Sequence, residues 1–393
     1  MYKRQVLPEE FSLVTAEAQV RGLPVVATGP GGPSEIVEDG VTGRIVAPED
    51  ARALADALLE VADPARGTAW GRAGRTRTLE RFTLERYVDG VATHLGGQFG
   101  PTGRIVAVSP ATDLYGSDRA LLGALPALLD RRLVTLVVPD DGPLVTDARD
   151  LGCDVRVVGD FAIRRRDLTP WGIVPTVARS WGLVRELRRL AAHRPVDLVY
   201  VNPAAVPATP LLGRAARAPM LVHIHERAQG PTEQRVLNWL TQRFTDLVVT
   251  NSAWTAGWID RPASAVRVEV VHNGVELPER PACLRTRSAA DPFVISCVAR
   301  LHPKKGQWVL LDALAQLVAD GVDASVLLVG DARPEHAELE QRLYDQVAAA
   351  GLTDRVVFVG YQPDPTPWYA RADVAVVPSV FPEEFSLVAA EAQ

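Results

Sequence analysis

The run Arg300-Leu301-His302-Pro303-Lys304-Lys305-Gly306 sets Arg300 and Lys305 on one strand-to-helix turn, after a β-branched stretch ending at Ala299 and before an amphipathic pattern that starts near Gln307. The amino end of a helix carries partial positive charge, so two cations beside it make a site for a diphosphate. A solvated basic turn is the alternative. Glu383 and Glu391 stand eight residues apart near the carboxyl end, and Glu9 and Glu17 repeat that spacing near the amino end. A little over two helical turns separates each pair, so a loop glutamate and a helix glutamate point toward one crevice. Carboxylates accept hydrogen bonds from sugar and ribose hydroxyls, although glutamates on a helix are more often solvated surface. Gly31 and Gly32, in the turn Gly29-Pro30-Gly31-Gly32-Pro33-Ser34-Glu35, leave backbone N–H groups open to an anion, or simply make a tight loop. His223 and His225 end an apolar run and share a strand face, His225 as the cleft residue and His223 as a candidate core histidine. Gly116, in Leu114-Tyr115-Gly116-Ser117-Asp118, sits where a ligand could approach a helix start. The seven histidines form no HExxH or similar spacing, and no metal site is expected.

Elements with short apolar strands must carry these residues. Arg104–Ser109, Leu133–Val138, Val155–Val158, Leu198–Val201, Leu221–Ile224 and Leu247–Thr250 are separated by helix-length segments, the pattern of a doubly wound parallel sheet. A second series runs through Phe293–Val298, Ser325–Val329, Val356–Val359 and Val374–Val377 and resumes at Val25–Ala27. Three segments are expected: 8–95 and 292–393 as two parts of one domain, and 103–275 as the other, with linkers near 96–103 and 276–292.

The order is unusual because of a repeat. Residues 8–19 read PEEFSLVTAEAQ and residues 382–393 read PEEFSLVAAEAQ, differing only at Thr15 and Ala389. Each end supplies the continuation the other lacks. A circular permutation and a window cut from tandem units both give this pattern, and the cut window is favoured because Met1–Gln5 back-translates to a sequencing-adapter end. With 42 Lys plus Arg against 48 Asp plus Glu, the net charge of −6 argues against general nucleic-acid affinity. The three scattered cysteines make no disulfide framework, and no apolar run reaches membrane-spanning length, so a cytoplasmic location is expected. Arginines from Arg164 to Arg194 with Trp171 and Trp181 suit a peripheral contact with an anionic membrane. Val177, Trp181, Val184 and Ala191 fit instead a core-facing helical stripe, the favoured alternative.

Arg300 with Lys305, the paired glutamates, Gly31-Gly32 to Glu35, His272-Asn273-Gly274-Val275 and Asn251-Ser252 together resemble the retaining glycosyltransferases of family four. The resemblance covers nearly the whole chain in permuted order. It implies an α/β GT-B fold, two doubly wound Rossmann-like domains facing a cleft, with 103–275 on the acceptor side and the other two segments forming the donor domain. It implies that Arg300 and Lys305 hold the donor diphosphate, Glu391 or Glu17 the ribose, and Glu383 or Glu9 the donor sugar. Gly116, Gly31 and Gly32 would lie along the phosphates, and His225 near the reacting sugar. The expected partners are a nucleotide-sugar donor, which is substrate rather than cofactor, and an acceptor of unspecified kind. Expected chemistry is metal-independent transfer with retention. A nucleotide-sugar-binding module without turnover and a sugar-nucleotide epimerase are the alternatives. Glu10 and Ser12, where the family often has glycine, would crowd the phosphate-facing backbone, and a single Gly116 stands where a glycine pair is common.

Overall fold

The computed structural model describes residues 12–96, 103–112, 116–161, 180–202, 209–225, 231–257, 259, 266–275, 277, 287–288, 291–332 and 336–380. The chain opens with α1 (Leu13–Val20), β1 (Val25–Thr28), α2 (Pro33–Ile36), β2 (Gly43–Val46), α3 (Ala51–Ala62), α4 (Pro64–Arg81) and α5 (Leu84–Gly96). There follow β3 (Arg104–Val108), α6 (Gly116–Arg131), β4 (Leu133–Val138), α7 (Pro143–Asp150), β5 (Asp154–Val157), α8 (Trp181–His193), β6 (Val196–Val201), α9 (Thr209–Ala216), β7 (Met220–Ile224), α10 (Pro231–Phe244), β8 (Leu247–Thr250), α11 (Ala253–Ala256) and β9 (Arg267–Val270). The last series is β10 (Phe293–Val298), a 3-10 turn (Pro303–Lys305), α12 (Gln307–Ala319), β11 (Ala324–Val329), α13 (Ala337–Ala349), β12 (Val356–Gly360), α14 (Thr366–Tyr369) and β13 (Val374–Val377).

These elements make two all-parallel sheets in two compact units. The first unit comprises residues 1–83 and 275–393, with strand order β12-β11-β10-β13-β1-β2. Val25, Val26 and Ala27 pair with Ala375, Val376 and Val377, so strands some 350 positions apart in sequence are neighbours in space. The second unit, residues 84–274, has the order β5-β4-β3-β6-β7-β8-β9. Both are Rossmann-like, as the alternating pattern predicts.

Helices on both faces explain the apolar strands, because a parallel strand buries both of its sides. On β1, Val26 joins the layer of Leu54, Leu58, Leu310 and Leu314, while Val25 and Ala27 join Ala18, Leu23 and Tyr369 on the other face. On β3, Ile105 and Ala107 face Leu121, Leu125 and Tyr87, and Val106 and Val108 face Leu183, Leu187 and Leu212. Each fully buried leucine contributes about 1.5–3 kcal/mol, which makes these layers the main stabilising term.

The amino-terminal copy of the repeated element is helical and packed. In α1, Ala16 and Ala18 are fully buried, and the helix lies against β1, β13 and α4. Ser12 caps it, its hydroxyl accepting from the Thr15 N–H at 3.4 Å. The side chain expected to crowd a phosphate is therefore occupied in starting a helix. The second copy, with Glu383 and Glu391, lies outside the described residues, as does Glu9.

Two local expectations change. Residues 84–95, expected with the first domain, form α5, whose Tyr87 and Val91 join the core of the second unit, so the compact units divide at Thr83–Leu84 and Gly274–Val275. The buried stripe of α8 is Leu183, Val184, Leu187 and Leu190, with Ala191 half-buried. Trp181, expected in the stripe, opens the helix and is 49% exposed; Val177 and Trp171 lie outside the described residues. Among the described residues no helix is long and apolar enough to cross a membrane.

Candidate functional site

In an open parallel sheet, neighbouring strands whose connections run off in opposite directions leave a crevice at their carboxyl ends. The first unit has that switch between β10 and β13, since the chain leaves β10 toward β11 while β13 lies on its other side. Arg300 stands two residues after the end of β10. Its carbonyl accepts from the Gln307 side chain at 2.9 Å, and Leu301 N–H donates to Asp331 O at 2.8 Å, so the turn is tied to α12 and to the end of β11. The 3-10 turn then carries Lys304 and Lys305. Lys305 N–H donates to His302 O at 2.8 Å, and Lys304 N–H donates to His302 Nδ1 at 3.1 Å.

Gly306 closes the turn with φ of +63°, and a Cβ there would stand 2.0 Å from Pro378 O. Only glycine fits. The same loop after β13 returns a hydrogen bond, Val380 N–H to Lys304 O at 2.8 Å, and Ser379 O accepts from Thr28 Oγ1 at 2.6 Å. Thr28 ends β1 and leads to Gly29-Pro30-Gly31-Gly32, where Gly31 and Gly32 are buried and their carbonyls accept from Ser34 and Glu35 at the start of α2. Gly31 has φ of +152°, a backbone L-residues rarely adopt. Hydrogen bonds thus join the basic turn, the Ser379 loop and the glycine turn across β10, β13 and β1.

The turn is electropositive. His302 is pushed down to about 4 by burial, and by His336, Lys304, Arg300 and Lys305 around it. It is therefore neutral at pH 7, free to accept the Lys304 N–H through Nδ1. The His336 ring stands edge-on to it at 4.6 Å. Arg300 is exposed and Lys305 half-buried. Glu17, on α1, is half-buried and its carboxylate accepts from Tyr369 OH at 3.4 Å. Among the described residues no cluster of three or more His, Cys, Asp or Glu is arranged to hold a metal.

In the second unit the switch lies between β3 and β6. Gly116 begins α6 there. Asn202, at the end of β6, donates its backbone N–H to Val108 O at 2.9 Å and its side-chain N–H to Ser117 O at 3.0 Å. His225, at the end of β7, meets Asn202 Oδ1 through Nε2 at 2.5 Å, and its carbonyl accepts from Asn251 Nδ2 at 2.9 Å. Ser252 caps α11, accepting from Thr255 N–H at 3.1 Å.

His223 and His225 share a face, as the strand period requires, with ring centroids 3.9 Å apart. Both are buried. Burial pushes His225 down to about 3, and burial together with the neighbouring His225 holds His223 well below the usual histidine range. His223 also bonds Tyr200 OH through Nδ1 at 2.8 Å, which fits the core role considered for it. Asn202, His302 and Thr28 were not singled out from sequence as site residues. A polar residue closing an apolar strand run was the available signal for Asn202 and Thr28, and His302 was visible only as part of the basic turn.

Two family models match the chain. Residues 5–63 and 292–393 match the model described as glycosyl transferases group 1, and residues 127–279 match the one described as glycosyltransferase family 4. Among solved structures the chain is similar to Anabaena HepE in complex with UDP and glucose, at 25% identity and a TM-score of 0.56, covering 74% of this chain and 78% of that one. The fold is that of the GT-B glycosyltransferases. The chain is 28% identical over 152 residues to the lipopolysaccharide core biosynthesis mannosyltransferase of Rhizobium meliloti, 38% of this chain and 43% of that protein. It is 31% identical over 228 residues to the 2-deoxystreptamine glucosyltransferase of Streptomyces kanamyceticus, 50% of this chain and 57% of that protein. The chain thus spans about half the length of these curated relatives.

Proposed function

We propose that this chain transfers a sugar from a nucleotide-diphosphate sugar to an acceptor hydroxyl. The observation that carries the reading is the cationic turn at the β10–β13 switch point, held by hydrogen bonds to three neighbouring segments. Arg300 and Lys305 would bind the diphosphate and stabilise the negative charge that grows on it as the glycosidic bond breaks. One such preorganised donor is worth about 3–4 kcal/mol in the transition state. Gly31 and Gly32 would leave room for the sugar-phosphate, Glu17 would take ribose hydroxyls, and Gly116 and His225 keep the roles that their motif positions imply, for the phosphates and the reacting sugar. Glu9, Glu383 and Glu391 are assigned through their shared motif.

The finer assignment is family-four chemistry: retention of anomeric configuration by attack on the leaving-group face, with no enzymic nucleophile and no metal step. Similarity to HepE, which has also been solved with UDP-glucose, supports a uridine nucleotide as the first donor to try. We also propose that the donor domain is written in permuted order. The β1–β13 pairing and the match of 5–63 and 292–393 to one family model support it.

Purified protein should be warmed with UDP-, GDP- and ADP-sugars and then assayed for transfer in the presence of EDTA. One nucleotide class should raise Tm, and Lys305→Ala should lower turnover about 100- to 1,000-fold at unchanged fold. Near wild-type turnover in Lys305→Ala would refute the assignment of the turn, and loss of turnover in EDTA would refute the metal-free step.

A further inference from the structure

We infer that Asn202 is a positioning residue for His225, fixing its imidazole as the neutral Nε2–H tautomer and setting the ring's angle at the ends of β6 and β7. This rests on the assignment of His225 to the sugar site made above.

The chemistry of the two side chains leaves one arrangement. Asn202 is anchored by its backbone to Val108 on β3, and its amide N–H groups face the Ser117 carbonyl at the start of α6. That contact orients the amide, because a carbonyl cannot receive the Oδ1 lone pairs. Oδ1 must then be the atom that faces His225 Nε2, 2.5 Å away. An amide oxygen only accepts, so Nε2 carries the proton and Nδ1 holds the lone pair. Nδ1 is buried and, among the described residues, has no hydrogen-bond partner, in a residue 5% exposed.

Among the described residues no acceptor faces Nδ1, so protonating it would set a cation against the His223 ring. His223 is itself engaged through Nδ1 by Tyr200. Among the described residues, Asn202 is the side chain that hydrogen-bonds the His225 ring, and Asn251 holds its carbonyl. A residue absent from the paired-glutamate and basic-turn motifs thereby sets which nitrogen of His225 is basic.

Two-bond 1H–15N correlation spectra of the full chain test this, with the His225 signals identified by their loss in His225→Gln. The wild type should show the Nε2–H tautomer and no titration of His225 between pH 5 and pH 8. Asn202→Ala, with an unchanged far-UV spectrum, should mix the tautomers and lower kcat about ten- to a hundredfold while KM with UDP-sugar moves much less. Asn202→Asp keeps the size and the acceptor, gives up the N–H donated to Ser117 O and adds a negative charge, so the His225 titration should move upward into the measured range and appear as a new midpoint in the pH–rate profile. An unchanged tautomer in Asn202→Ala, or an unmoved titration in Asn202→Asp, would overturn the inference. The isosteric variant decides if the alanine variant does not fold. Failure of the wild type to transfer any sugar would remove the transferase reading alone, since the spectra report on Asn202 and His225 directly.

Discussion

His302 shows how one side chain serves two ends at once. Its Nδ1 holds the Lys304 N–H only while unprotonated, and burial, together with His336 and the cations of the same turn, keeps it so. A histidine whose folded value lies below its ordinary one binds protons more readily unfolded, so its contribution is complete above about pH 6.5 and is lost as pH falls toward 4. Melting curves between pH 7 and pH 4 should therefore fall more steeply for wild type than for His302→Asn, whose amide oxygen can replace Nδ1 without titrating. Parallel curves would remove His302 from the turn's stability. His223 and His225 act in the same direction, which is why the comparison with the variant, and not the wild-type slope alone, is decisive.

At the scale of elements, the basic turn works because α12 starts from a left-handed residue pressed against the loop after β13. Gly306→Ala brings both an unfavourable φ and a contact 2.0 Å from Pro378 O, so it should destabilise by more than about 1 kcal/mol, read as a lower denaturant midpoint. It should also weaken nucleotide binding, because Lys304 and Lys305 precede it. Helix α1 depends on a different device. Gln19 is fully buried, donates to Thr42 Oγ1 at 3.0 Å and accepts from Thr78 Oγ1 at 3.3 Å, joining α1 to the turn before β2 and to α4. Gln19→Ala takes the acceptor from the Thr78 hydroxyl and one of two donors from Thr42 Oγ1, which also accepts from Glu38 N–H at 2.9 Å, and should cost about 1–3 kcal/mol; a neutral result would mean that α1 contributes little to its slot.

For the whole molecule, two units with separate cores should unfold as two calorimetric transitions. A nucleotide held at the β10–β13 switch should move one transition upward and leave the other in place. Hydrogen exchange should then show β1 and β13 gaining protection together, because they are adjacent strands of one sheet in spite of their distance in sequence. A single transition would contradict independent unfolding of the two units, and protection confined to residues 104–270 would contradict a donor site in the first unit.

Much of this was legible from residues alone. Alternating β-branched runs determined two doubly wound sheets, since a strand buried on both faces has to be apolar throughout. Arg300, Lys305 and the glycine turn were visible because a strand-to-helix junction is short in sequence, and the PEEFSLV repeat announced that a segment near the amino end continues the sheet begun after 292. Only the tertiary structure decided that α1 is a packed copy of that repeat, that α5 belongs with the second core, and that Asn202 stands beside His225. Those outcomes depend on contacts between segments remote along the chain, where periodicity carries no information and burial and hydrogen bonding choose among partners.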